Sequence, residues 1–229
     1  MNKVKQIALK GIYATGLMNK MSREGFDAIV EKYATDKKTL DIASGGNPYA
    51  AFFPNRIAAD IAEHPGVDVV VDVHNLSTKF KPESFDVVLC TEALEHFYNP
   101  WSAMEEMKKV LRRGGVLILS TRFIFPLHEV PHDYYRFTEY GLRYLLRDME
   151  ILDMHASGGT MHTLAVLYQR IGYQCRTLGV APLKLLWFIA SKITALLSCM
   201  LTREYGDVGS TKPVPRIMAS GYIVVARKK

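Results

Sequence analysis

Residues 39–48 read Thr39-Leu40-Asp41-Ile42-Ala43-Ser44-Gly45-Gly46-Asn47-Pro48, a short apolar run with an acidic end that breaks into a glycine turn. Glycine in such a turn lets the backbone come close to a ligand and take dihedrals that other residues avoid. An ordinary strand-to-helix turn would look the same, so the residues that follow decide the reading. Asp60 comes about 20 residues after Asp41, at the end of a second apolar run, where a carboxylate can accept from both ribose hydroxyls of a nucleoside. Asp72 ends a third run. Three acids at the carboxyl ends of three successive strands face one crevice, the place where open α/β sheets bind ligands.

Working outward, the spacing predicts strands at Thr39–Ala43, Arg56–Ile61, Val67–Val73, Phe85–Thr91 and Val116–Thr121, continuous apolar runs suited to a parallel sheet covered on both faces. Phe26, Ile29, Val30 and Tyr33 fall at i, i+3, i+4 and i+7 and predict a helix. A second helix is expected over Trp101–Leu111, with Trp101, Met104, Met107, Val110 and Leu111 on its buried side and Gly114-Gly115 as its stop. Thr138 is placed to cap a third, carrying Leu142, Leu145, Leu146 and Met149. A strand near Glu150–His155 and a closing strand at Gly221–Ala226 complete the pattern. Strand and helix alternate, which defines an α/β fold with a Rossmann-like, mostly parallel sheet.

With these residues in place the chain resembles the class I S-adenosylmethionine-dependent methyltransferases, in particular the methyltransferase type 11 group. The resemblance is carried by LDIASGGNPY, RIAADI, VDVVVDVHNLS, SFDVVLCTEALEHFYNP and EEMKKVLRRGGVLILSTR, spanning residues 38 to 122 in the family's order. It implies a seven-stranded sheet whose last strand, GYIVVARKK, is antiparallel, and S-adenosylmethionine as cofactor. It further implies that the turn Asp41, Ala43, Gly45, Gly46 wraps the methionine part and that Asp60 holds the ribose. Asp72 and the backbone of Val73 meet the adenine, and Thr91 lies beside cofactor and acceptor. Ala43 stands where the family has glycine; a turn with Ala at negative φ would accommodate it.

Two further clusters bear on chemistry. Glu92, Glu95 and His96 form E-x-x-E-H, read as first-turn carboxylates complementing a helix dipole, with no metal expected. The run from Pro126 to Thr138 holds two prolines, which exclude a regular helix. Relatives with a similar H-x-x-P-x-D-Y-x-R-F-T run place it over the acceptor. His128 and His132 are therefore the expected general bases, with Asp133 orienting the imidazole, while His96, Tyr134 and Arg136 shape the substrate pocket. A structural lid is the competing reading. Positioning contributes about 7 to 11 kcal/mol to such a transfer, and a base is needed only for a poorly acidic acceptor such as a hydroxyl.

The chain has 229 residues, 48% of them hydrophobic, enough for one α/β domain. The expected organisation is N-terminal helices over 1–36, a cofactor-binding core over 37–157, a helical insertion over 158–217 and the final strand over 218–229. The net charge of +6 is concentrated toward the ends of the chain. Cys90, Cys175 and Cys199 are widely spaced, as in a reducing cytoplasm. Leu183 to Leu201 is the one long apolar run. At 1.5 Å per residue it reaches about 28 Å as a helix, but Lys192 at its centre would cost roughly 2.5 to 3.5 kcal/mol in a bilayer. It reads as a buried or interfacial helix, in the core, at a homodimer interface, or attaching the protein with its basic N-terminal segment to the inner membrane face.

The expected acceptors are a small molecule, or a glycan or lipid-linked molecule bearing a hydroxyl. A nicotinamide-dependent oxidoreductase fits less well, for lack of G-x-G-x-x-G and of a second catalytic domain. No nucleic-acid partner is expected, since there is no aromatic-plus-basic module. A membrane-associated protein that binds the cofactor without catalysis would be told apart by its failure to form product.

Overall fold

The structure is a computed structural model that describes residues 21, 25–45, 49–175, 183–201 and 203–229. Gly46 and, Met21 apart, residues 1–24 of the N-terminal region expected to be helical lie outside the described residues. The chain divides into two compact units: Gly25–Phe123, Leu127–Ala156 and Gly221–Lys229 form one, while Met1–Glu24, Ile124–Pro126 and Ser157–Ser220 form the other.

The first unit is built on seven strands: β1 (Thr39–Ile42), β2 (Arg56–Asp60), β3 (Val69–Val70), β4 (Phe85–Cys90), β5 (Leu111–Arg122), β6 (Met149–Ser157) and β7 (Gly221–Lys228). Their order is β3-β2-β1-β4-β5-β7-β6. From β3 through β5 neighbours run parallel, and β7 returns antiparallel against β5. All four residues of β1 are buried, as expected for a central strand covered on both faces. Helix α1 (Phe26–Lys32) buries Phe26 and Val30 in a cluster with Leu89, Ile118 and Val225.

Three local expectations are corrected. The third strand is only two residues long, because Asp72 accepts from the His74 amide at 2.9 Å and starts a 3-10 segment, Val73–Thr78. Helix α2 (Pro100–Val110) ends before Gly114, and Leu111 already pairs with Phe85. Gly114 (φ 73) and Gly115 instead lie within β5, where the register shifts as Phe85↔Leu111 gives way to Val87↔Val116. Trp101, expected in the core, is 51% exposed, whereas Ala103, Met104, Met107 and Val110 are buried. Helix α3 (Glu139–Leu145) starts as expected, with the Thr138 hydroxyl accepting from the Gly141 amide at 3.0 Å.

The second unit carries α4 (Thr160–Gln174) and α5 (Leu183–Leu196). Gly172 lets them approach: a Cβ there would stand 2.9 Å from the Phe188 ring. Phe188 and Ser191 are the buried residues of α5, and Leu186, Ile189, Ile193 and Leu196 are exposed. The helix is thus buried along one side only. Residues Leu183–Met200 are long and apolar enough to cross a membrane by length and composition.

Candidate active site

At the carboxyl ends of β1, β2 and β4 the first unit holds a cavity of about 580 Å³. Such a volume suits one ligand of drug size. Ala43, Gly45, Asp60, Asp72 and Val73 line it, as do His96, His132 and Tyr134. Asp41, Thr91, His128, Asp133 and Arg136 are not among the lining residues. The structure therefore brings together most of the expected cofactor residues and splits the expected catalytic set.

The turn after β1 is shaped by left-handed backbone. Gly45 takes φ 50 and Ala43 takes φ 52. The expectation of Ala43 at negative φ is corrected, and the cost of holding an alanine there is about 1 to 2 kcal/mol. Glu92 and Glu129, which also line the cavity, sit at φ 55 and 54. Among the described residues, three of the five positive-φ residues other than glycine thus border one cavity, the usual location for stored backbone strain.

The acids behave differently. Asp41 is buried beneath the turn, and burial, with help from Asp60 and against Arg56 at 3.8 Å, pushes its carboxyl up to about 7. Asp60 accepts from the Ala62 amide at 3.3 Å and meets His64 at 3.2 Å, and it lines the cavity with lone pairs to spare for two hydroxyls. Asp72 holds His74 through both the ring Nδ1 (2.6 Å) and the amide, and the His74 ring stacks on Tyr98 at 4.0 Å. A nucleoside and its charged tail fit this set: a glycine-containing turn, a ribose-facing carboxylate and a second carboxylate with an adjoining backbone amide. Burial pushes the Cys90 thiol up, so it is a packing group and not a nucleophile.

The E-x-x-E-H residues do not open a long helix. Leu94–His96 is one 3-10 turn, and both glutamates are spent on tertiary contacts. Glu92 forms an ion pair with Arg122 and accepts from the Ser120 hydroxyl at 3.1 Å. Glu95 is fully buried, accepts from the Thr121 hydroxyl at 2.8 Å and faces His128 at 3.7 Å. Burial alone would raise its carboxyl, but His128, its own backbone and Thr121 outweigh that and hold it below the ordinary value. One donor atom each from Glu95, His96 and His128 lies within 4.8 Å of the others, close enough to hold a metal ion.

The loop after β5 is pinned to this turn. The Tyr134 and Tyr135 amides donate to the Glu95 main-chain oxygen at 2.9 and 3.2 Å. Asp133 is a fully buried carboxylate gripped by Arg136 through two contacts of 2.5 and 2.6 Å, which hold it down at about 2. The same carboxylate accepts from the His128 amide at 3.0 Å and meets its ring at 3.3 Å. The expected pairing of Asp133 with an imidazole exists, but it orients His128, whose other nitrogen faces Glu95 and not the cavity. His132 lines the cavity, with Nδ1 3.0 Å from the Tyr134 hydroxyl. Sequence reasoning missed His74, Tyr98 and Glu129 and read Glu92, which lines the cavity, only as a helix-dipole carboxylate; the first two follow Asp72 and the E-x-x-E-H run closely enough to have been candidates.

The comparisons agree with this architecture. Residues 40–119 match the family described as a methyltransferase domain. An uncharacterized protein of Methanocaldococcus jannaschii is 32% identical over 97 residues, 39% of this chain and 47% of its own length. The ubiquinone biosynthesis O-methyltransferase of Haemophilus ducreyi is 32% identical over 106 residues, 37% and 45% of the two chains. The chain spans about half the length of the curated relatives it matches.

Among solved structures, the 1,6-didemethyltoxoflavin-N1-methyltransferase of Burkholderia thailandensis, crystallised with bound 1,6-didemethyltoxoflavin and S-adenosylhomocysteine, aligns with a TM-score of 0.53 at 16% identity, covering 99% of this chain and 88% of that one. A SAM dependent methyltransferase from Archaeoglobus fulgidus aligns with a TM-score of 0.52 at 14% identity over 90% and 95%. The sheet order and the match over residues 40–119 make this part of the chain similar to a methyltransferase domain, and the solved structures share its fold.

Proposed function

We propose that the chain transfers the methyl group of S-adenosylmethionine to a hydroxyl of a small-molecule, glycan or lipid-linked acceptor, the helical insertion serving that one catalytic domain. The observation that supports this best is the joining, in one cavity, of two strand-end carboxylates suited to a nucleoside with the His132 imidazole. The cofactor supplies an activated methyl group with a neutral thioether leaving, so the chain's own residues have mainly to position and to handle a proton.

In this reading Asp60 takes the ribose, Asp72 and Val73 the adenine edge, and Ala43 and Gly45 the methionine end. Asp41 supports the turn from below, and Thr91 stands at the end of β4. His132 is the base: its Nδ1–H donates to the Tyr134 oxygen, leaving the Nε2 lone pair to accept the hydroxyl proton as the methyl group arrives. A positioned base of this kind contributes roughly 10²- to 10⁴-fold. His128, Asp133 and Arg136 hold the loop that carries it. The likeness to a family of ubiquinone O-methyltransferases supports oxygen as the nucleophile and a small molecule as acceptor.

We also place the protein at the inner membrane surface, supported by the exposed apolar side of α5. Calorimetry with S-adenosylhomocysteine tests the cofactor reading, and a folded protein that binds none ends it. Cells fed methyl-labelled methionine, with and without the gene, would reveal the acceptor by the mass of the product lost.

A further inference from the structure

The mouth of the cavity carries more exposed aromatic surface than packing requires. Tyr98 is 59% and Tyr134 45% exposed, and both line the cavity. Trp101, at the start of α2, extends the same surface outward: its ring lies edge-on to Tyr135 with centroids 6.1 Å apart. The Tyr135 hydroxyl donates in turn to the Tyr98 main-chain oxygen at 3.2 Å. Helix α2 has no need of Trp101 for its core face, since Ala103, Met104, Met107 and Val110 already fill it. Clustered exposed rings of this size mark a binding surface more often than they mark idle surface.

Their chemistry points to one kind of ligand. A flat ring offers an apolar face and a polar edge; His74 covers one face of Tyr98, and Tyr98, Trp101 and Tyr134 each remain about half exposed. Hydrogen-bonding groups stand beside them: the Tyr134 hydroxyl, the His132 ring and the exposed Glu129 carboxylate, all lining the cavity. A sugar ring matches this pairing, with one face of C–H bonds to lie on an aromatic ring and hydroxyls around its rim.

We propose that Tyr98, Trp101 and Tyr134 form a ledge that seats a sugar ring of the acceptor and presents one of its hydroxyls to His132. This deepens the methyltransferase reading above and rests on it. The acceptor reaches in from outside while the nucleoside occupies the strand-end side, so the ledge sets acceptor specificity.

The test uses the two tryptophans of the chain. Trp187→Phe leaves Trp101 as the sole emitter. With S-adenosylhomocysteine bound, methyl α-glucoside, methyl α-mannoside and methyl β-galactoside are titrated against its fluorescence, with catechol as comparison. A saturable change with at least one glycoside, weakened about tenfold by Tyr98→Ala or Tyr134→Ala, supports the ledge. Calorimetry should give the same S-adenosylhomocysteine affinity in wild type and Trp101→Ala. Normal S-adenosylhomocysteine binding with no glycoside response overturns the ledge alone, as does a response to catechol only or a shift that depends only on protein concentration. Loss of S-adenosylhomocysteine binding in the wild type instead overturns the methyltransferase reading.

Discussion

The His96 ring donates from Nδ1 to the main-chain oxygen of His132 at 2.6 Å. Two motifs far apart in the chain are thereby tied together, and the position of the candidate base depends on a histidine that belongs to neither its loop nor its strand. His96 also fills part of the cavity wall and lies edge-on to His128 at 4.7 Å.

His132→Ala is expected to lower kcat by roughly 10²- to 10⁴-fold while leaving S-adenosylhomocysteine affinity unchanged. His128→Ala should act differently, because its ring sits between the buried carboxylates of Asp133 and Glu95. It should cost about 1 to 3 kcal/mol of stability, visible as a lowered melting temperature. Equal effects of the two variants on kcat and on melting would reduce the loop to a structural lid.

Asp60→Ala should weaken S-adenosylmethionine and S-adenosylhomocysteine alike by about ten- to a hundredfold, the usual loss when hydrogen bonds to a charged acceptor are removed. Titration calorimetry measures this directly. Unchanged affinity in the variant would remove the ribose assignment and leave the rest of the site standing.

Ala43→Gly should stabilise the protein by about 1 kcal/mol, because glycine takes φ 52 without the Cβ clash that alanine suffers. Urea unfolding of the two proteins checks it. A destabilised variant would mean that the alanine methyl packs well enough to outweigh its strain.

Asp41 makes stability depend on pH. Its carboxyl titrates at about 7 in the folded chain and near 3.8 when unfolded, so between those values the folded state binds more protons. The contribution is fully present below the unfolded value and is lost as pH rises through about 7. Asp41→Asn should flatten that decline, measured as the difference in unfolding free energy between acidic and mildly alkaline buffer. An unchanged slope would show that Asp41 is ionised throughout.

Flotation with anionic vesicles at moderate salt tests the membrane placement. The wild type should float, and Ile193→Glu with Leu196→Glu should stay at the bottom, since Leu196 is 77% exposed on the apolar side of α5. A wild type that never floats would remove the membrane from this protein.

Strand and helix types were legible from the residues alone because they rest on local periodicity. Continuous apolar runs marked the buried strands, and the Thr138 cap and the Phe26–Val30 stripe read true. The acids that line the cavity were legible too, since a strand end followed by a turn places Asp60 and Asp72 without knowledge of any neighbour. What sequence could not decide was which side chains meet across the chain. By sequence Asp133 serves either histidine equally, and Arg136 and the path of the loop deliver it to His128. Glu92 and Glu95 looked like helix-dipole partners until Arg122 and Thr121, on the neighbouring strand, claimed them. Trp101 had helical spacing for the core, yet the space was already filled by Met104 and Met107. Periodicity is a property of a few adjacent residues and survives in a string of letters. Partner choice depends on distances of a few ångströms between segments far apart in the chain, and only the folded backbone sets those.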